Sequence, residues 1–462
     1  MKREIALRMT GIQQARLLSH LFPSDGLEAV AIGLCGHGAG TRRDTFLLQR
    51  LELVPYEICQ RRRDQITWPS EFLLPLLDEA RTRGLWVVKF HSHPGGFDRF
   101  SIQDEAADRS LFPFVYEWTS ETARHASVVL LPDGSMFGRT VDRDGGLVPL
   151  ATIAAVGDDI AVWHGTGAHS ETPEHARRHA QLFGSGTVSR LQKLRVAVIG
   201  CSGTGSIVIS QLAHLGIGKL VLVDPDHLEE KNLNRIIGAT MADARNAALK
   251  VEVMKRYVDA LGLGTGVSTF ASDLATPEAI RAVAECDVCF GCMDGVEGRH
   301  LLNRLASFYL LPYFDLGVRL EADGLGGVEV VCGSVHYLKP GGASLLSRRV
   351  YDIEEVRAAG LKRTDPAAYE EQLRSKYILG VPEDRPAVIS VNMQIASMAV
   401  NEFLARIHPY RHDANHNFAT SRVSLKHGEA FTEAEGEPCR LLFRHTGRGD
   451  VTPLLDRPDL SE

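Results

Sequence analysis

The chain has 462 residues, 44% apolar and 24% charged, with a net charge of −7, the profile of a globular chain of two or three domains. No long basic block argues for nucleic acid, and no apolar run reaches the roughly 20 residues of a membrane helix. The opening Met1-Lys-Arg-Glu-Ile-Ala-Leu-Arg8 lacks the apolar core of a signal peptide, and eight cysteines in so long a chain form no disulfide framework, so a reducing, cytoplasmic setting is expected.

In chain order, β-like runs at Ala29–Cys35, Trp86–Phe90 and Ser127–Leu131 alternate with helical stretches such as Glu71–Thr82. These make a first α/β domain over residues 1–155. The stretch from Gly157 to Pro173 is rich in Gly, His, Thr and Asp and reads as a linker, assigned to 156–175. A different rhythm begins at Leu194. Strand Arg195–Ile199, a helix from Gly205, strand Lys219–Val223, helix Ala242–Leu261, strand Asp287–Gly291, helix Val296–Leu310 and strand Tyr313–Gly317 follow one another. Such alternation predicts a Rossmann-like, doubly wound parallel sheet, here over 176–425. The run Val388–Ile407 has helical apolar spacing and is expected to pack on that sheet. From about Phe431 the chain turns polar, and 426–462 reads as a tail.

The first domain carries His91-Ser-His93-Pro, followed by Ser101-Ile-Gln-Asp104. Two histidines one residue apart at a strand end point the same way, and Asp104 completes a set of two His and one carboxylate. That set, with one position open for water, suits catalytic zinc, which lowers the pKa of a bound water. A bland reading also exists: Ser101 as the N-cap of a helix. The pattern resembles the JAMM (JAB/MPN) metalloprotease signature. The resemblance implies an α+β JAB/MPN fold, Zn²⁺ on His91, His93 and Asp104, and an oxyanion-holding hydroxyl on Ser101. It also calls for an upstream general acid/base. Glu28 is the candidate, with Glu52 and Glu57 as fallbacks, and the implied reaction is hydrolysis of (iso)peptide bonds after a ubiquitin-like C-terminus.

The second domain opens with Gly200-Cys-Ser-Gly203-Thr-Gly205 between strand and helix, where backbone N–H groups and the helix dipole can meet phosphates. Asp224 ends the next strand, where a carboxylate grips a ribose hydroxyl. With Ser202 at the middle position the loop alone means only a nucleotide, NAD included. The later residues Asp226, Asn232, Arg235, Lys250, Asp294 and Arg299 resemble the adenylation domain of ThiF/MoeB and ubiquitin-activating enzymes. That resemblance implies ATP with Mg²⁺: Arg235 and Lys250 on the phosphates, Asp294 on Mg²⁺, Asn232 on the phosphates or orienting this group, and Asp226 and Arg299 supporting these residues from behind. It also implies a homodimer through this domain, with Arg178 reaching the partner's ATP.

A thioester cysteine has weak candidates in Cys332 and Cys439, and Cys286, Cys289 and Cys292 alternate faces of a strand. His408, His412 and His416 read as solvated. The joint expectation is a bacterial-type bifunctional enzyme. It would adenylate the C-terminal glycine of a ubiquitin-like or sulfur-carrier protein, with a conjugating enzyme as a further partner in the ubiquitin-type case, and hydrolyse bonds at such C-termini. Sulfur-carrier activation and trimming is the first alternative, a dimeric scaffold with dead sites the second.

Overall fold

The computed structural model describes residues 3–165, 172–374 and 386–460, which form two compact units. The described residues of the N-terminal unit are 3–165 together with 308–310 and 446–456. Its elements are β1 (Glu4–Thr10), α1 (Gly11–Leu21), β2 (Val30–Ala39), β3 (Arg43–Leu53), a two-stranded ribbon of β4 (Gln60–Arg61) and β5 (Ile66–Thr67), α2 (Leu74–Arg83), β6 (Trp86–Ser92), α3 (Ile102–Trp118), β7 (His125–Leu130), β8 (Met136–Val141), β9 (Leu147–Pro149), β10 (Thr152–Val156) and β11 (Ile160–His164). Nine strands form one mixed sheet in the order β11-β10-β1-β3-β2-β6-β7-β8-β9. One face packs Leu7, Leu17, Leu48 and Phe90 beneath α1. The other packs Ile32, Leu77, Val87 and Phe112 against α2 and α3.

The second unit runs through α4 (Arg177–Leu191), β12 (Arg195–Ile199), α5 (Gly203–His214), β13 (Lys219–Val223), α6 (Met241–Arg245), α7 (Lys250–Leu261), β14 (Gly266–Phe270), α8 (Pro277–Ala284), β15 (Val288–Gly291), α9 (Val296–Phe308), β16 (Tyr313–Ala322), β17 (Val328–Leu338), α10 (Ile353–Thr364), α11 (Pro366–Arg374), α12 (Ile389–Ile407), β18 (Thr420–Ser424) and β19 (Glu429–Glu433). The sheet order is β14-β13-β12-β15-β16-β17-β18-β19. The first five strands are parallel and the last three antiparallel. β12 and β13 are unbroken apolar runs because both faces of a parallel sheet are covered. The order reverses between β12 and β15, and a crevice at the carboxyl ends of such strands is where doubly wound sheets bind ligands. Among the described residues no helix is long and apolar enough to cross a membrane.

Three expectations need correction. The sheet is doubly wound only in its first part, since β17, β18 and β19 extend it antiparallel. The reading of 156–175 as a linker fails in its first part: β11 pairs antiparallel with β10, Ile153 facing Trp163, and burial of Ile160 and Val162 overrides the polar composition. Residues 166–171 of that stretch lie outside the described residues. The tail reading of 426–462 fails as well, because β19 pairs with β18 and residues 446–456 belong to the N-terminal unit, where Asp450 N donates to His37 O.

Candidate active sites

His91 stands near the end of β6 and His93 just beyond it. Asp104 sits in the first turn of α3, whose N-cap is Ser101. The cap is reciprocal. Ser101 Oγ accepts from Asp104 N at 3.1 Å, and Asp104 Oδ2 accepts from Ser101 N at 2.7 Å. The bland reading of Ser101 therefore holds, and the same capping box aims Asp104 at the histidines. Its Oδ1 lies 3.0 Å from His91 Nε2 and its Oδ2 lies 3.2 Å from His93 Nε2. The three ligand atoms all lie within 4.8 Å of one another, the sole such group of three or more His, Cys, Asp or Glu among the described residues.

The chemistry of this set fits a metal. His93 Nδ1 is 2.7 Å from the Phe97 carbonyl, to which it donates. In the neutral ring that leaves a bare lone pair on Nε2, facing a carboxylate oxygen. Two acceptors so close require a cation or a proton between them. His91 is buried, its Nε2 facing Asp104 Oδ1 at 3.0 Å and its Nδ1 without a hydrogen-bond partner among the described residues. Two donors on one tetrahedral zinc with bonds of ~2.1 Å stand about 3.4 Å apart, close to the separations seen here. His91, His93 and Asp104 would hold the ion.

Glu28 enters through backbone pairing. Val30 opposes His91, and Ser92 N donates to Ala29 O at 3.2 Å, so Glu28, two residues before β2, lies near the histidine pair and interacts electrostatically with His93. Glu28 is only 4% exposed. Burial raises its pKa to about 7, against the pull of His93, and the Asp104 charge adds to the rise. A carboxyl poised there suits proton transfer at neutral pH. Glu52 is ion-paired with Arg50 and partly exposed, and Glu57 is exposed, so neither fallback shares this setting. The Ser101 hydroxyl also donates to Asp104 Oδ2 at 2.7 Å, and it must leave that acceptor before it can serve a developing oxyanion.

In the second unit the loop Gly200–Gly205 leaves β12 at the switch point. Gly200 has φ 90°, and a Cβ there would stand 2.7 Å from Cys292 O, on the loop leaving β15. A Cβ on Gly205 would meet Gly200 O at 1.8 Å, and one on Gly203 would meet Asn392 Nδ2 at 2.3 Å. The loop is thus glycine by necessity. Ser202 makes no side-chain cap on α5, which leaves first-turn N–H groups for an anion. Asp224 is buried, and burial raises its pKa while the Cys201 amide opposes that rise. Its two oxygens accept from Cys201 N at 2.6 Å and Asp226 N at 2.8 Å. Asp224 therefore ties the loop to the end of β13, with further lone pairs for a ribose.

Lys250 is buried and donates to Asp226 Oδ2 at 2.7 Å. Arg235 stands by the loop, its Cδ 3.2 Å from where a Gly203 Cβ would be, and donates to Lys231 O at 2.9 Å. Asn232 Oδ1 accepts from Glu229 N at 3.0 Å, so Asn232 holds the turn that carries Arg235. Asp294 is exposed on the segment between β15 and α9. Arg299 is committed to Asp315, donating from Nε at 2.9 Å, and Tyr313 OH donates to the same carboxylate at 2.6 Å, in line with a supporting role. Arg178 is exposed on α4, six residues before the helix kinks at Gly184, φ 78°.

Cys439 falls in the segment whose polar composition reads as a tail. It is instead 3% exposed, its N–H bonded to Gly342 O. Cys332 sits inside the sheet, between Arg319 and Ser424. Cys286, Cys289 and Cys292 are buried. His412 and His416 are exposed as expected, while His408 is half-buried, Nδ1 2.9 Å from Thr187 Oγ1. Asn392 escaped the sequence reading. It is 5% exposed against Gly203, and its signal was a polar residue in the apolar stripe of α12.

A family model described as the ThiF family matches residues 175–438, more than half of the chain, and the chain belongs to that family. It is 30% identical over 155 residues to "Adenylyltransferase and sulfurtransferase UBA4" of Meyerozyma guilliermondii, covering 32% of this chain and 36% of that protein. It is 26% identical over 247 residues to "Ubiquitin-like modifier-activating enzyme 5" of Drosophila willistoni, covering 47% and 56%. The chain thus spans between about a third and just over half of these relatives. The crystal structure of E. coli MccB with ATP aligns with TM-score 0.44 and 19% identity over 60% of this chain and 75% of that one.

Proposed function

We propose that the second unit adenylates the C-terminal glycine of a small ubiquitin-like or sulfur-carrier protein. The carboxylate would attack the α-phosphate of ATP, forming an acyl-adenylate and releasing pyrophosphate. The observation that carries this reading is the ThiF match over a glycine loop at the switch point. Gly200, Gly203 and Gly205 leave room for phosphates, Arg235 and Lys250 would neutralise them, and Asp294 would hold Mg²⁺. Asp226 already accepts a hydrogen bond from one Lys250 N–H, and the ammonium has two further donors to offer phosphate. A homodimer with Arg178 acting in trans belongs to this proposal.

For the N-terminal unit we propose a zinc-dependent (iso)peptidase of the JAMM type. Its support is the convergence of His91, His93 and Asp104, with His93 Nδ1 held on the Phe97 carbonyl so that Nε2 faces Asp104. Zinc bound there would supply a Lewis acid and lower the pKa of a water. Glu28 would accept a proton from that water and return it to the leaving amine. Ser101 would turn its hydroxyl from Asp104 toward the oxyanion.

The burial of Cys439 favours a second reading for the adenylate, sulfur transfer or direct hand-off without a thioester on that cysteine. One of the relatives carries sulfurtransferase in its name. Intact-protein mass spectrometry after incubation with Mg-ATP and a glycine-terminated carrier separates the two. A thiol-sensitive adduct means a thioester relay, whereas carrier adenylate without adduct means sulfur transfer or hand-off. No ATP consumption beyond background would overturn adenylation altogether.

A further inference from the structure

Behind the candidate metal ligands lies a second polar layer. On β6, Lys89 is two residues before His91 and so shares its face. On α3, Asp108 is one turn after Asp104 and so shares its face. Lys89 and Asp108 form an ion pair, and Arg139 of β8 completes it, donating to Asp108 Oδ2 from Nη2 at 2.7 Å and from Nε at 3.2 Å. Asp108 is 0% exposed. The pairing register explains the layer. Lys89 opposes Ser127 on β7, and Ser127 opposes Arg139, so two cations flank one serine across three strands. The next rung, His91, Val129 and Phe137, belongs to the metal side.

Arg139 also reaches forward. Its guanidinium carbon lies 3.7 Å from the centroid of the Phe100 ring, immediately before the Ser101 cap. One side chain therefore holds the chain on both sides of the Ser101–Asp104 turn, through Phe100 before it and Asp108 after it. A helix start with only its own capping box can rotate or fray. Here Lys89 ties it to the strand that bears the histidines, and the buried fork of Arg139 ties it to β8 of the same sheet.

We propose that Asp108 and Arg139, with Lys89, are positioning residues for the metal site, locking the first turn of α3 so that Asp104 meets His91 and His93. The proposal rests on the zinc reading above. A pair of this kind is poor evidence for stability, because breaking it strands a buried charge while replacing it with apolar groups is often neutral. Geometry at the ligands is the better explanation, and groups that orient metal ligands typically change affinity about 10–100-fold when lost.

The test uses the full chain. Zinc affinity is measured by competition with a chromophoric chelator, and the Co²⁺-loaded protein is read by visible absorption. Arg139→Lys keeps a cation but cannot hold both Asp108 and Phe100, and Asp108→Asn removes the charge. Each should weaken zinc about 10–100-fold and alter the Co²⁺ bands as the Asp104 carboxylate loosens. Thermal midpoints by tryptophan fluorescence report folding, since all four tryptophans lie in this unit. If Asp108→Asn does not fold, Arg139→Lys decides. A lowered midpoint with unchanged zinc affinity and unchanged Co²⁺ bands would make the layer merely structural and overturn the proposal. Wild-type protein that takes up no zinc, or an Asp104→Asn variant that binds it as well, would instead overturn the underlying metal reading.

Discussion

The two candidate sites are built from opposite materials. The N-terminal site is made of side chains: two imidazoles and a carboxylate converge within hydrogen-bonding distance, and a buried glutamic acid stands beside them. The nucleotide site is made chiefly of missing side chains, a loop in which a Cβ on Gly205 would stand 1.8 Å from a backbone oxygen. Its charged groups are spread over β13, the turn before α6, α7 and the end of β15, and Lys250 is already paired. A side-chain site is sensitive to chemistry at each position, whereas a backbone site is sensitive to volume.

The largest effect that tests this contrast is Asp104→Ala. With one of three ligands gone, and the capping oxygen that holds α3 gone too, zinc binding should fall below detection by metal analysis, while pyrophosphate exchange at the other site stays at the wild-type rate. Retained zinc would remove the side-chain site from the comparison. Next is Glu28→Gln, which keeps shape and removes the titrating proton. Zinc should remain, and hydrolysis of a peptide-linked carrier should fall about 10²–10⁴-fold, the usual contribution of a general acid/base. Undiminished cleavage would assign the proton to another group.

The difference in materials also explains what the sequence could reveal. His91, His93, Ser101 and Asp104 lie within fourteen consecutive residues, joined by one strand end and one helix cap, so local spacing carried the geometry. Strands Arg195–Ile199 and Lys219–Val223 appear with the expected bounds, because burial on both faces leaves an unbroken apolar signal. The helix expected over Ala242–Leu261 is instead two helices. Leu228 N donates to Ala248 O, and Lys250 N donates to Asp226 O. That tertiary pairing pulls Ala247 to φ 45° and overrides an alanine-rich helical pattern. The break also seats Lys250 beside Asp226, so the feature the sequence concealed is one that the proposed phosphate contacts depend on. Asp108 went unread because a carboxylate one turn into a helix looks like a solvated face until its strand partners are known.

Gly205→Ala tests the backbone site by volume alone. The added methyl must displace the Gly200 peptide, because the contact is to backbone and not to a flexible tip. Such overpacking costs about 1–3 kcal/mol, and the loop should lose ATP binding in isothermal titration while zinc content stays at the wild-type value. Wild-type ATP affinity would mean the loop carries no phosphate.

The smallest effect concerns a buried side chain outside both sites. His125, at the start of β7, is 0% exposed. Its Nδ1 accepts from Val87 N at 3.0 Å, and its Nε2 lies 2.9 Å from Thr119 Oγ1. The neutral ring with the proton on Nε2 satisfies both, and protonating Nδ1 would set two donors face to face. Burial lowers its pKa to about 3 from an ordinary 6.5. The folded value is below the unfolded one, so the neutral ring is free of penalty above pH 6.5, and stability falls as pH drops from 6.5 toward 3, where the loss saturates. At pH 6 the expected loss is about 1 kcal/mol, growing by about 1.4 kcal/mol for each further unit. His125→Gln keeps an acceptor for the Val87 amide and does not titrate. Urea midpoints by tryptophan fluorescence at pH 7.5 and pH 6 should therefore differ less in the variant than in wild type, the other histidines being common to both. An equal difference would mean that the charged ring is accommodated in the folded unit.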